Sequence, residues 1–84
     1  AVVNVWREFD MFKNMKIEIN EEQPLDEVVK ELERLGFYKG SWWTKGLTQV
    51  IEACASTMQL VNYSDSDIQI RTGDLVTLAE LKEM

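Results

Sequence analysis

The clearest hydrophobic pattern in the chain lies in residues 23–36, Q-P-L-D-E-V-V-K-E-L-E-R-L-G. Its apolar residues follow the three-and-four spacing that places side chains on one face of a helix: Leu25, Val28, Val29, Leu32 and Leu35. Pro24 suits the first helical position, and Gly36 suits the left-handed residue that follows a helix. We therefore predict an amphipathic helix with a buried apolar face, closed by Phe37 folding back onto Leu32.

A weaker alternation precedes this helix, and a second helical pattern follows it. Polar and apolar residues alternate in residues 16–20, which predicts a short strand with Ile17 and Ile19 on its buried face. From residue 47 six apolar residues follow the helical spacing 0, 3, 4, 7, 8 and 11: Leu47, Val50, Ile51, Cys54, Ala55 and Met58. We therefore predict a second helix over residues 47–56, with Cys54 packed on its apolar face.

A β-hairpin is expected after that helix. Strands are predicted at residues 57–63 and 68–72, and the S-D-S-D between them is rich in side chains that hydrogen-bond their own backbone in turns. Ile68 and Ile70 would then point inward from the second strand.

The last segment carries a specific signal for a helix start. Thr77 and Glu80 have capping-box spacing, and Val76 and Leu81 are placed where a hydrophobic staple would join the residues on either side of the cap. We therefore expect a C-terminal helix that starts at Thr77.

Together these elements predict an α+β fold, with a small, mainly antiparallel sheet of three or four strands and two to three helices packed on one face. Residues 15–84 are expected to form a single domain, and residues 1–14 an N-terminal extension or docking segment. In that segment Val2, Val5, Trp6 and Phe9 have helical spacing, although Val3, Val5 and Trp6 would equally line a strand.

Composition narrows the class of protein. A chain of 84 residues buries a thin core, and no apolar run approaches the roughly 20 residues that span a bilayer. We therefore expect no membrane span. The single cysteine has no internal disulfide partner, which favours a reducing compartment, so we expect a cytoplasmic protein. Histidine, the commonest general base and zinc ligand, is absent, so we expect no metal, no cofactor and no catalysis.

Acidic residues outnumber basic ones by 15 to 9, which gives a formal net charge of −6. This charge disfavours binding to nucleic-acid phosphates and favours basic partners. The candidate acidic face is concentrated around the first helix: Glu22, Asp26, Glu27, Glu31 and Glu33. A solvated outer helix face would give the same pattern.

The aromatic stretch at residues 37–46, F-Y-K-G-S-W-W-T-K-G, is the strongest functional candidate. It is locally basic, and Trp is enriched among the residues that dominate the energy of protein interfaces. Adjacent side chains on a strand face opposite ways, so at most one of Trp42 and Trp43 would face the core. The predicted interface residues are Trp6, Tyr38, Trp42, Trp43 and Lys45. The bland alternative is that Phe37 and one Trp complete the core while the other Trp packs on the N-terminal segment.

These observations predict a non-catalytic protein-interaction module or small accessory or inhibitor protein. We expect it to self-associate as a homodimer, since pairing would extend the thin core across a two-fold axis. The alternative is a single-stranded nucleic-acid-binding protein that uses residues 37–46. A small enzyme acting through carboxylates would require two close, inward-facing carboxylates in a pocket, and the sequence names no such pair.

Overall fold

The computed structural model describes residues 13–84, so the patterns predicted for residues 1–12, including the interface role of Trp6, lie outside the described residues. The described chain contains, in order, β1 (Met15–Glu18), α1 (Leu25–Arg34), β2 (Tyr38–Lys39), β3 (Val50–Cys54), β4 (Gln59–Tyr63), a 3₁₀ turn (Ile68–Ile70), β5 (Asp74–Leu75) and α2 (Leu78–Glu83). The α+β class is therefore confirmed.

The strands form one five-stranded sheet in the order β2-β4-β3-β1-β5. The central strand β3 is antiparallel to β1 and to β4, whereas the short edge strands β2 and β5 run parallel to their neighbours β4 and β1. The prediction of a mainly antiparallel sheet with three or four strands was therefore wrong, because two parallel edge strands make the sheet mixed.

Helix α1 forms as its pattern predicts, and its end has the expected geometry. Gly36 has a φ of +105°, its N–H donates to the Glu33 carbonyl at 3.0 Å, and the Phe37 N–H donates to the Leu32 carbonyl at 3.1 Å. This pair of bonds is a Schellman motif, which also buries Phe37. Pro24 lies one position earlier than predicted, at the N-cap.

The core lies between the two helices and one face of the sheet. It combines strand residues (Met15, Ile17, Ile51, Ala53 and Leu60) with helix residues (Val28, Val29, Leu32, Leu78 and Leu81). Ile19 packs against this cluster as a half-buried side chain. Both helices present in residues 13–84 thus pack on one face of the sheet, as predicted.

Helix α2 is fixed by the predicted capping box. The Thr77 Oγ1 accepts the Glu80 N–H at 3.2 Å, and a Glu80 carboxylate oxygen accepts the Thr77 N–H at 3.0 Å. Val76 and Leu81, the predicted staple residues, are both buried.

The helix predicted over residues 47–56 is wrong, because this segment contains strand β3. Ile51 and Ala53 face the core, while Val50 is fully buried on the opposite face, next to Tyr63 of β4. A strand buried on both faces lacks the alternation that identifies a half-exposed strand. Leu47, which starts the helical spacing, lies outside the strand and is 72% exposed.

The predicted hairpin is also wrong in its second half. Strand β4 forms, but it pairs with β3 and not with residues 68–72. Residues 68–70 make a 3₁₀ turn instead, in which Ile68 is half-buried and Ile70 is 64% exposed rather than inward-facing.

Two crossover connections lie on opposite faces of the sheet. Helix α1 joins β1 to β2 on the core side, and residues 64–73 join β4 to β5 over the other side. There the Arg71 guanidinium lies 3.5 Å from the centre of the Tyr63 ring, and the Thr72 N–H donates to Glu52 at 2.8 Å. This crossover buries part of the second face. We call this side of the sheet, on which no α-helix of residues 13–84 packs, the open face.

Candidate functional site

A groove of about 290 Å³ runs along the part of the open face that the crossover does not cover. Its floor consists of two cross-strand pairs of β3 and β4, Glu52 with Val61 and Cys54 with Gln59. Its sides and rim are formed by Asn14, Trp42, Thr57 and Thr72. The floor thus combines the apolar side chain of Val61 with a carboxylate, a thiol and an amide, and Trp42 adds an aromatic ring at the side.

Trp42 forms one side of this groove. It lies in the loop between β2 and β3, and it is 70% exposed. Its neighbour Trp43 instead packs against the core cluster, with the Lys39 Nζ 5.1 Å from the centre of its ring. The prediction that at most one of the two adjacent tryptophans faces the core is therefore confirmed.

A buried asparagine holds the loop that carries both tryptophans. The Asn62 Oδ1 accepts the Thr44 N–H, and the Asn62 Nδ2 donates both to the Thr44 carbonyl and to the Thr48 Oγ1, each at 2.8 Å. Asn62 and Thr48 are each only 6% exposed. The loop is thereby fixed to β4 from the core side, while Trp42 reaches the open face.

Glu52 is the one Asp, Glu, Lys or Arg side chain in the groove lining contributed by residues 13–84. The Tyr63 hydroxyl donates to one of its carboxylate oxygens at 2.7 Å, and the Thr72 N–H donates to the other at 2.8 Å. Burial, followed by the bond to the Glu52 carboxylate, raises the pKa of Tyr63 above its ordinary value. The Thr72 hydroxyl donates to that second oxygen at 3.4 Å, so Tyr63 and Thr72 together hold the carboxylate in one orientation.

The cations near this carboxylate have other partners. The Arg71 guanidinium stacks on Tyr63 and forms an ion pair with Asp65, whose pKa the hydrogen bond from Arg71 holds below its ordinary value. The Lys16 Nζ donates to the Arg71 carbonyl at 3.3 Å. Within residues 13–84, Glu52 forms no ion pair at 4.0 Å or less.

The Cys54 thiol also lines the groove, so the prediction that it packs on a helix was wrong. Its Sγ lies 3.3 Å from the Ser56 Oγ. The hydrogen bonds from Ser56 and then Thr57 lower the pKa of the thiol to about 7. A substantial fraction of Cys54 is therefore thiolate at neutral pH.

The other predicted site residues separate into two regions. Tyr38 is 49% exposed beside the groove, where its hydroxyl accepts the Gln59 Nε2 at 3.0 Å, and Lys45 is exposed in the loop after Trp43. The acidic residues Glu22, Asp26, Glu27 and Glu33 are exposed on the far side of the domain, where Glu31 pairs with Arg34 at 2.8 Å. The aromatic and acidic surfaces are therefore not contiguous.

Sequence reasoning missed Glu52, although one signal for it exists. It is the single acidic residue between Glu33 and Asp65, and it interrupts the apolar run V-I-E-A-C. An isolated carboxylate in an otherwise apolar strand needs partners. One partner here, Tyr63, lies on β4, and the other, Thr72, comes from the crossover that the sequence did not predict.

The described part of the chain shows few features of a catalytic or metal site. No group of three or more His, Cys, Asp or Glu side chains in residues 13–84 is arranged to hold a metal ion. The groove lining from these residues includes one carboxylate, so it lacks the acid-base pair that a carboxylate enzyme requires. None of the helices in the same residues has the length and apolar character needed to cross a membrane.

Comparison with known proteins found no matching family model, no matching curated protein and no matching solved structure. The function therefore has to be argued from the groove and its surroundings.

Proposed function

We propose that this protein is a non-catalytic interaction module of the cytoplasm that binds a basic protein partner on the open face, around Trp42. The observation that carries the proposal is the exposure of Trp42, 70% in the free chain, at the side of a groove. An exposed Trp offers a large, rigid contact area, and Trp is enriched among the residues that contribute most to protein interfaces.

The chemistry of the site favours a protein over a nucleic acid. Single-stranded nucleic acids need aromatic platforms together with cations that follow the phosphates. Here Trp42 and the Glu52 carboxylate line the same groove, and the Lys39 Nζ lies over the Trp43 ring. The net charge of −6 adds a long-range attraction for basic proteins.

A second copy of the chain is the competing occupant of this surface. Each copy carries the same charge of −6, so repulsion opposes the pairing of two copies and assists the approach of a basic partner. For this reason the proposal commits to a different, basic protein.

The test is quantitative binding with a matched pair of variants. Trp42→Ser removes the exposed aromatic ring, and Leu47→Ser removes an equally exposed apolar side chain, 72% exposed, from the same loop but outside the groove lining. A protein captured from the native host by the wild-type chain would be purified, and its affinity for the three chains measured by calorimetry. We expect Trp42→Ser to weaken binding at least about 30-fold, as for an interface hot spot, and Leu47→Ser to weaken it less than about 3-fold.

Two results would overturn the proposal. The first is equal affinity of the wild type and Trp42→Ser for every captured protein, which would remove the groove from the interface. The second is a dimer of the wild-type chain in sedimentation experiments that Trp42→Ser dissociates, since a second copy would then be the occupant.

A further inference from the structure

We infer that the groove receives an arginine side chain of the partner, with Trp42 as the stacking surface and Glu52 as the counter-charge. This inference rests on the proposed function and names the chemistry of the partner at the same site. It follows from the coexistence, in one small groove, of an exposed aromatic ring, an apolar valine on the floor and an oriented carboxylate that forms no ion pair of 4.0 Å or less within residues 13–84.

The size of the groove suits one long side chain. Its volume of about 290 Å³ lies just below the range of drug-sized ligand pockets, about 300–1,000 Å³. Arginine and lysine bury their aliphatic stems along apolar surface and keep the charged head in contact with polar groups. Val61 offers such a surface on the floor, and Gln59 supplies an amide at the same end as Cys54.

The charge of the groove selects a cation. Both oxygens of Glu52 accept hydrogen bonds from neutral donors: one from the Tyr63 hydroxyl, and the other from the Thr72 N–H and, at 3.4 Å, from the Thr72 hydroxyl. Within residues 13–84 the carboxylate forms no ion pair of 4.0 Å or less, and Lys16, its cross-strand neighbour on β1, donates to the Arg71 carbonyl. A carboxylate oxygen has two lone-pair positions, so the oxygen that accepts the Tyr63 hydroxyl retains capacity for a further donor. Arg71, the arginine of the crossover, forms an ion pair with Asp65 and stacks on the Tyr63 ring.

Arginine fits this arrangement better than lysine. Its planar guanidinium stacks on aromatic rings and presents a rigid fork of donors to a carboxylate, whereas the ammonium of lysine is a compact, strongly hydrated charge. The hydrogen bonds from Tyr63 and Thr72 fix the orientation of Glu52, which also reduces the ordering needed when the guanidinium binds.

The experiment uses the full 84-residue chain and three short peptides, acetyl-Gly-Gly-X-Gly-Gly-amide, in which X is arginine, lysine or citrulline. Citrulline has nearly the shape of arginine but no charge. Binding would be followed by amide and indole shifts in nuclear magnetic resonance spectra. Slower alkylation of Cys54, which lines the same groove, provides an independent readout of occupancy.

We expect the arginine peptide to shift the Trp42 indole signal with a Kd on the order of 1–10 mM, as befits one side chain. The citrulline peptide should bind at least about 5-fold more weakly, because charge-assisted hydrogen bonds are about twice as strong as neutral ones. Lysine should fall between the two.

Two charge-matched variants test the role of the carboxylate. Glu52→Gln should weaken binding of the arginine peptide at least about 5-fold. Glu33→Gln, which removes an exposed charge on α1 far from the groove, should change the Kd of the same peptide less than about 2-fold. Since Glu52→Gln also disturbs the bonds to Tyr63 and Thr72, its melting temperature is checked first. Two further measurements do not depend on whether Glu52→Gln folds. They are the comparison of the arginine and citrulline peptides on the wild type, and the binding of the arginine peptide to the Trp42→Ser variant.

Equal binding of the arginine and citrulline peptides, no binding of either at the groove, or tighter binding of a peptide with leucine at X would each overturn the inference. In any of these cases the proposed function still stands if Trp42→Ser weakens binding of the captured partner. It falls together with the inference only if that variant binds the partner as the wild type does.

Discussion

Replacing Asn62 with alanine tests whether one buried amide holds the loop that positions Trp42. The variant loses three hydrogen bonds of 2.8 Å, with the N–H and carbonyl of Thr44 and the hydroxyl of Thr48, and a longer one of 3.2 Å from the Thr44 Oγ1. Each is worth about 1 kcal/mol net, but water can replace Asn62 at the exposed Thr44. We therefore expect a loss of about 2–3 kcal/mol in the free energy of unfolding.

The assay is urea unfolding followed by far-ultraviolet circular dichroism, with thermal melting as a second measure. For a domain of this size the loss corresponds to a melting temperature lower by about 10–20 °C. Two controls remove smaller parts of the same network. Thr48→Val deletes one buried hydroxyl and should cost about 1 kcal/mol, and Thr44→Val keeps both backbone bonds and should cost about 0.5 kcal/mol or less.

The reasoning would be refuted if Asn62→Ala lost less than about 0.5 kcal/mol, because water would then serve the loop as well as the amide does. It would also fail if Thr44→Val cost as much as Asn62→Ala, since the side-chain hydroxyl and not the asparagine would then be the anchor. A stable Asn62→Ala variant that still binds through Trp42 would show that the loop is positioned by other contacts.

Two further predictions concern single residues elsewhere in the domain. A Cβ at Gly73, where φ is +102°, would lie 2.7 Å from the backbone carbonyl of Asn14, whereas one at Gly46, where φ is +114°, meets no atom within 4 Å. Gly73→Ala should therefore cost about 3 kcal/mol or more and Gly46→Ala about 1–2 kcal/mol in urea unfolding, and equal costs would contradict the steric argument. The lowered pKa of Cys54 means that its thiolate forms at lower pH than usual, so its alkylation rate should reach half its maximum near pH 7, and Ser56→Ala should move this midpoint upward towards 9.0. A wild-type midpoint already near 9.0 would refute the role of the Ser56 hydrogen bond.

The elements that sequence patterns predicted well are those whose signals are local. Helix α1 has an apolar stripe, a proline at its start and a glycine at its end, and helix α2 has the capping box of Thr77 and Glu80. These signals lie within a few residues of the structure they specify, so no tertiary contact was needed to read them.

Strand β3 shows where local reading fails. Val50 is buried because the rest of the domain covers the open face above it, and Ile51 is buried because the helices cover the other face. Burial on both faces depends on tertiary contacts. A strand buried in this way has a run of apolar residues in place of alternation, and here that run matches helical spacing by coincidence. The crossover of residues 64–73 was also predicted wrongly. Ile68 and Ile70 alternate with polar residues, which predicted a strand, but their backbone pairs with no strand of the described sheet.

The candidate site was predictable in part for the same reason. Trp42 was identified as a candidate from composition, and one of the two tryptophans does face the core. The strand alternation from which this was expected does not apply, because both tryptophans lie in the loop between β2 and β3. The groove itself requires β3 and β4 to be neighbours and the crossover to bring Thr72 to Glu52, and neither relation is encoded in a short stretch of sequence.

The place of β1 in the sheet has a consequence for the order in which the protein folds during synthesis. Its neighbours are β3 and β5, about 35 and 60 residues later in the chain, so β1 cannot form its hydrogen bonds to either neighbour until those segments have been synthesised. A ribosome that has released only residues up to 63 presents β1, β3 and β4 without the crossover of residues 64–73, which packs on Tyr63 and Glu52, and without the Leu78 and Leu81 that close the core. We expect such a nascent chain to expose apolar surface on both sides of its sheet, and therefore to be prone to aggregation, until residue 81 emerges.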